Sequence, residues 1–151
     1  MEQSAVRILV VEDFSPYRTF IRSLLGGNGH FEVVGEAADG LEAVRIAQEL
    51  VPEVILMDIG LPKLNGLDAA RRIRKLLPSS KIVFLTQEAG EEVIEEAFRI
   101  GASGYIQKDQ AGADLLRAIR TALGNGKFLR RGLAAGEPAA ATSPIQDKQS
   151  S

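Results

Sequence analysis

Five short runs of branched apolar residues, set apart by amphipathic stretches of helical length, constrain this chain more than any other feature of its sequence. The runs are Val6 to Val11, Phe31 to Val34, Val54 to Met57, Ile82 to Leu85 and a shorter one around Tyr105 and Ile106. Apolar runs this short, without polar alternation, are the pattern of strands buried on both faces. Between them, Tyr17 to Leu25, Leu41 to Leu50, Leu67 to Leu77, Glu91 to Ile100 and Ala113 to Leu123 carry apolar residues at helical spacing. Ser15 before Pro16 predicts an N-cap and a first helical turn, while Gly26, Gly27, Pro52, Pro78 and Gly101 mark stops or connections.

Strict alternation of strand and helix requires right-handed crossovers, hence a parallel sheet covered by helices on both faces. Five strands arranged this way predict a flavodoxin-like three-layer α/β sandwich of order 2-1-3-4-5. In such sheets the working site lies beyond the carboxyl ends of the strands, where the strand order reverses.

A chain of 151 residues with 45% hydrophobic and 25% charged residues has the material for one compact domain. Its 18 basic and 20 acidic residues leave a formal charge of -2, so no global field draws it to nucleic acid or an anionic membrane. Cysteine is absent, which removes disulfides and thiolate chemistry. No leader opens the sequence, and no apolar run reaches the roughly 18 to 20 residues of a membrane span. A cytoplasmic protein is therefore expected. His30, the single histidine, sits in the glycine-rich connection before the second strand and is expected to be exposed and inert.

At the carboxyl ends of the predicted strands stand Glu12 and Asp13 after the first, Asp58 after the third, Thr86 after the fourth and Lys108 just past the fifth. Three carboxylates brought to one edge repel each other and are expected to recruit a cation or take up protons. Mg²⁺ suits such a site, since it takes oxygen ligands, keeps several waters and leaves positions for phosphate oxygens. Singly, each residue has a plainer reading: Asp58 as a helix cap, Thr86 as a strand residue, Tyr105 as a half-buried aromatic, Lys108 as a surface charge. The constellation favours a site for Asp58 and the place of Lys108 favours one for it, while roles for Thr86 and Tyr105 rest on the resemblance that follows.

The segments ILVVED from Ile8 to Asp13, LMDIGLP from Leu56 to Pro62 with Asn65 and Gly66, FLT from Phe84 to Thr86 and GYIQK from Gly104 to Lys108 resemble those of two-component response regulator receivers. The resemblance covers roughly Val6 to Leu123. It implies that Asp58 is the phosphoacceptor, taking a phosphoryl group from a phosphohistidine on a sensor histidine kinase or phosphotransfer protein. It implies further that Asp13, Asp58 and the backbone carbonyl of Gly60 hold Mg²⁺, with Glu12 acting mainly through water, and that Lys108 and the Thr86 hydroxyl meet phosphoryl oxygens. Tyr105 would move inward with Thr86, switching a partner surface on the fourth helix, fifth strand and fifth helix. Gly60 and Glu88 occupy positions that in this family tune attack of water on the aspartyl phosphate. Such a protein would promote its own phosphorylation and dephosphorylation only, without being a turnover enzyme.

Two positions depart from the family pattern. Asp109 follows Lys108 where proline is common, so a cis peptide is not to be assumed there and the loop geometry stays open. Gln87 is bulkier than the small residue often found after Thr86, which predicts slow reaction with small phosphodonors.

Three rivals weigh less. A haloacid-dehalogenase-like phosphatase needs a second Asp two residues after the nucleophile, where this chain has Gly60. A flavin or dinucleotide binder lacks its glycine fingerprint after the first strand. An unphosphorylated docking module would not need the full set of Glu12, Asp13, Asp58, Thr86 and Lys108.

The expected receiver spans residues 6–124, followed by a short extension and a disordered tail or linker over 125–151. The stretches Ile59 to Leu67 and Gly126 to Leu129 resemble regulators whose receiver precedes a DNA-binding helix-turn-helix domain. Two readings stay open: a receiver that signals by docking a downstream protein, or the receiver portion of a transcription regulator with a fused output domain. A phosphorylation-dependent homodimer is also implied, but neither membrane attachment nor direct nucleic-acid binding by this chain.

Overall fold

In a computed structural model, which describes residues 4–27, 29–130 and 142–144, strands and helices alternate in the predicted order. Strands β1 (Val6–Val11), β2 (Phe31–Ala37), β3 (Val54–Met57), β4 (Lys81–Thr86) and β5 (Gly104–Gln107) are each followed by a helix: α1 (Ser15–Leu25), α2 (Gly40–Leu50), α3 (Gly66–Leu76), α4 (Glu91–Ile100) and α5 (Ala111–Leu123). Neighbours in the sheet run β2-β1-β3-β4-β5, all parallel, so the flavodoxin-like order is present. Strand periodicity sorts the core into two layers. Leu9, Val11, Ile55, Met57, Ile82 and Phe84 pack with residues of α2, α3 and α4, while Ile8, Val10, Val54, Leu56, Val83 and Leu85 pack with residues of α1 and α5. Because β3 is covered on both sides, all four of its residues are buried.

Differences from the sequence reading sit at the element ends, where local chemistry decides. β2 runs on through Gly35, Glu36 and Ala37, with a register shift opposite Ile8 and Leu9. The N-cap of α1 is Phe14, not Ser15: the helix already includes Ser15, and no side chain caps it. Instead the Phe14 N–H donates to a Glu12 carboxylate oxygen at 3.0 Å, tying the helix start to the end of β1. Asp39 and Asn65 cap α2 and α3 by accepting the N–H groups of Glu42 and Asp68, at 2.8 and 2.9 Å. Gly101 ends α4 at φ 116°, a left-handed conformation that favours glycine.

The segment after residue 124 adds to the sheet. β6 (Phe128–Arg130) pairs parallel with β5, and β7 (Thr142–Pro144) pairs antiparallel with β6. Phe128 fills the α1 and α5 layer and Leu129 the opposite one, each 2% exposed. Arg130 then reaches the fully buried Asp114 of α5, donating from two nitrogens at 2.6 and 2.9 Å. A strand of three residues is too short to register as an apolar run, which is why the sequence reading treats it as an extension. The rest of the expected tail lies outside the described residues. β5 is therefore not the sheet edge, because β6 covers its outer side.

The two-pronged Arg130–Asp114 pair anchors this added strand. Arg130→Ala would leave a buried carboxylate without its cation and is expected to cost about 3 kcal/mol in urea unfolding, whereas an apolar replacement of both partners should cost less.

Candidate functional site

The ends of β1 and β3 set the geometry. The Glu12 N–H donates to the Ala37 carbonyl at 2.9 Å and the Asp58 N–H to the Val11 carbonyl at 3.1 Å, so sheet-type pairing continues into the acidic residues. Glu12, Asp13 and Asp58 thereby offer carboxylate oxygens within 4.8 Å of one another. Glu12 and Asp58 are buried and Asp13 is exposed, so the cluster has a closed floor and a side open to solvent. The floor is tight: the N-terminus of α3 lies on the Asp58–Ile59 backbone, and a Cβ on Gly66 would fall 2.0 Å from the Asp58 carbonyl oxygen. Only glycine permits that approach.

Lys108, the first residue of a single 3-10 turn between β5 and α5, brings the opposing charge. Its Nζ donates to Glu12 Oε1 at 2.7 Å and to Asp58 Oδ2 at 2.9 Å. The other Asp58 oxygen, Oδ1, accepts the N–H groups of Ile59 and Gly60, at 2.7 and 3.3 Å. Burial raises the Glu12 carboxyl above its ordinary value although Lys108 and the Phe14 N–H oppose it, and the Asp58 charge adds to the rise. Burial pulls the Lys108 ammonium down, but its hydrogen bonds to Glu12 and Asp58 prevail and hold it above its ordinary value. An ammonium shared by two carboxylates is a firmly charged group, suited to an anion arriving at Asp58.

Thr86 of β4 and Tyr105 of β5 are both buried and lie diagonally on neighbouring strands, Tyr105 being paired with Phe84 and Thr86 with Gln107. They share one peptide segment: Thr86 Oγ1 accepts the Glu88 N–H at 3.2 Å and the Tyr105 hydroxyl donates to the Glu88 carbonyl at 2.9 Å. Tyr105 is thus already inside, and burial, with the charges of Glu88 and Asp58, pushes its phenol up and keeps it a donor. The Glu88 side chain is exposed; it is the backbone of this residue that joins the two. Gly60 is exposed, with open space around the position of a Cβ.

All the strand-end residues singled out in the sequence therefore meet at one edge. Missed there was Tyr17 of α1, whose hydroxyl donates to the Lys108 carbonyl at 2.9 Å and whose ring centroid is 4.9 Å from Lys108 Nζ. Its only sequence signal is an aromatic one helical turn past Asp13, which reads equally well as core. Arg18 was missed as well; it donates to the Glu12 carbonyl at 2.6 Å and to Glu36 at 3.0 Å.

Comparison with known proteins gives the family. Residues 8–120 match the family described as the response regulator receiver domain. The chain belongs to that family, whose members are signalling modules. It is 37% identical over 122 residues to the uncharacterized transcriptional regulatory protein YxjL of Bacillus subtilis, covering 81% of this chain and 56% of that protein. It is 34% identical over 120 residues to the nitrate/nitrite response regulator NarL of Escherichia coli K12, covering 80% of this chain and 56% of that protein. Among solved structures, a LuxR-family two-component response regulator from an Aurantimonas species superposes with TM-score 0.78 at 32% identity, covering 98% of this chain and all of that one. The chain thus spans little more than half the length of the curated relatives, and it is a receiver domain of the NarL and LuxR type.

The carboxylate set fits a hard divalent cation: oxygen donors only, close together, with a solvent-facing side for the waters that Mg²⁺ retains. Added Mg²⁺ is expected to raise the thermal midpoint as binding to the folded state requires. In Asp13→Asn the affinity, read by calorimetric titration, should fall on the order of tenfold or more.

Proposed function

We propose that Asp58 is the phosphoacceptor of this receiver and that Glu12, Asp13, Asp58 and the Gly60 carbonyl hold the Mg²⁺ on which the transfer depends. The observation that carries this reading is the arrangement around Asp58: a buried carboxylate with one oxygen on two backbone N–H groups and the other on Lys108 Nζ, inside a three-carboxylate cluster. A carboxylate held this way is fixed in direction, which in-line attack on phosphorus requires. An Asp58 oxygen forms the new bond to phosphorus as the bond from phosphorus to the donor histidine nitrogen breaks, and the imidazole leaves with the bonding pair. Mg²⁺ supplies charge compensation for the phosphoryl oxygens.

Lys108 has a second task in this scheme. Its ammonium bridges Glu12 and Asp58 before transfer and turns to a phosphoryl oxygen afterwards, so the arriving charge meets a donor already in place. The Thr86 hydroxyl, which accepts the Glu88 N–H, is the group that answers on the fourth strand. When it turns toward the phosphoryl group it lets go of the peptide that Tyr105 also holds. That shared peptide links the chemistry to the outer surface, where α4, the β5 and β6 strands and α5 form the partner face. Gly60 and Glu88, both exposed beside the site, set how fast water removes the phosphoryl group.

A sensor histidine kinase or phosphotransfer protein is the donor, and the setting is cytoplasmic; among the described residues no helix is long and apolar enough to cross a membrane. On the output side, the resemblance to transcriptional regulators favours a DNA-binding domain as the element controlled, with phosphorylation strengthening a homodimer. A receiver that docks a separate protein is the alternative.

Intact-mass measurement after incubation with Mg²⁺ and phosphoramidate tests the reading. A single phosphoryl increment is expected on the wild type, and none on Asp58→Asn or when Mg²⁺ is chelated. An unmodified wild type that also ignores beryllofluoride would turn attention to a constitutive docking role.

A further inference from the structure

The Lys108 ammonium must stay between Glu12 and Asp58 and then meet a phosphoryl group, yet it hangs on a flexible four-carbon stem. Locally the base of that stem is held by its own 3-10 turn, in which the Ala111 N–H donates to the Lys108 carbonyl, and nothing in that turn reaches the ammonium. Lys108 opens a 3-10 turn without a side-chain cap, Asp109 follows it, and the peptide between them is trans.

A second hold, and the one that reaches the ammonium, comes from another element. Tyr17 touches Lys108 at both ends: its hydroxyl donates to the Lys108 carbonyl at 2.9 Å, and its ring faces Nζ with 4.9 Å to the centroid. Two contacts from one side chain fix the stem at its base and its tip. The ring is itself held, half-buried against the α1 and α5 core layer and tilted on Phe20 at 5.5 Å between centroids. At the start of α1, the Tyr17 N–H bonds to the Phe14 carbonyl, and the Phe14 N–H bonds to Glu12. One short run of chain therefore reaches both the acidic cluster and the lysine. Burial, with the charges of Glu12, Asp58 and Asp109, pushes the Tyr17 phenol above its ordinary value, so its hydroxyl remains a donor.

We propose that Tyr17 is a positioning residue for phosphoryl transfer, clamping Lys108 by its carbonyl and its ammonium so that the ammonium is aimed at the group on Asp58. The cation–π contact sets the direction of the charge, and the hydrogen bond sets the backbone from which it is delivered. The proposal rests on Asp58 being the phosphoacceptor.

The test uses the full chain with Tyr17→Phe, which keeps the ring and removes the hydroxyl, and Tyr17→Leu, which removes both contacts. Three quantities are measured: the rate of phosphorylation by phosphoramidate, the affinity for beryllofluoride in saturating Mg²⁺, and the affinity for Mg²⁺ alone. Loss of one hydrogen bond in Tyr17→Phe should slow phosphorylation roughly fivefold. Displacing the charge in Tyr17→Leu should slow it on the order of 10- to 100-fold. Beryllofluoride affinity should fall in the same order, with Mg²⁺ affinity unchanged. Wild-type rates and affinities in both variants would overturn the clamp. So would a loss of Mg²⁺ affinity matching the loss in rate, because Tyr17 would then act through the carboxylates at the start of α1. If the wild type itself takes up neither phosphoryl group nor beryllofluoride, the acceptor reading fails first and the clamp with it.

Discussion

Three carboxylates held within 4.8 Å of one another at the end of a sheet are the constraint on which this molecule is built. Like charges that close repel one another, most strongly where burial keeps water out. The fold accepts that strain because Lys108 stands between two of the three and backbone N–H groups take a further oxygen of Asp58. The arrangement is satisfied at rest and unsaturated in charge, which is the condition for drawing in a cation and then an anion. The order of the sheet serves it: β1 and β3 are neighbours, so Glu12 and Asp58 are adjacent by backbone pairing, and β5 delivers Lys108 from beyond β4.

Around that centre the polar contacts form two arms. One runs through α1, where Phe14, Tyr17 and Arg18 each bond to Glu12 or Lys108. The other runs through the Glu88 peptide, gripped by Thr86 on one side and Tyr105 on the other. The second arm ends beside the added edge, since Tyr105 is paired with Leu129 of β6. The Glu88 peptide is thus hydrogen-bonded to Tyr105 of β5, the strand against which β6 pairs. β6 is no loose flap: Phe128 and Leu129 are buried in opposite layers and Arg130 is tied to Asp114.

Much of the site was legible because parallel α/β sheets put strand ends at one edge, so naming the strands names the neighbours. Placing Glu12, Asp13, Asp58, Thr86 and Lys108 at that edge needed no more than that. What escaped were contacts made from helices and short pieces. Tyr17 lies ninety-one residues from its carbonyl partner, and nothing in its own surroundings distinguishes a hydroxyl aimed at a distant backbone from an ordinary amphipathic tyrosine. Ser15 looked like the cap of α1 because its type and the following proline suit that place; the helix begins one residue earlier, with Phe14 at the cap, its carbonyl accepting the Tyr17 and Arg18 N–H groups and no side chain capping the turn. Asp114 reads as a first-turn acid in its own helix and becomes a buried partner only when Arg130 arrives.

By itself the sequence determined the alternation of strands and helices, the parallel sheet and the identity of the acidic and basic residues at its working edge, because each follows from local periodicity and from one rule of topology. Tertiary structure alone decided which oxygen of Asp58 faces Lys108, that one peptide joins Thr86 to Tyr105, that Tyr17 holds the lysine, and that a sixth strand covers β5. Those outcomes depend on distances between groups far apart in the chain. No local pattern encodes them, because each is settled only when layers with their own reasons for folding are pressed together.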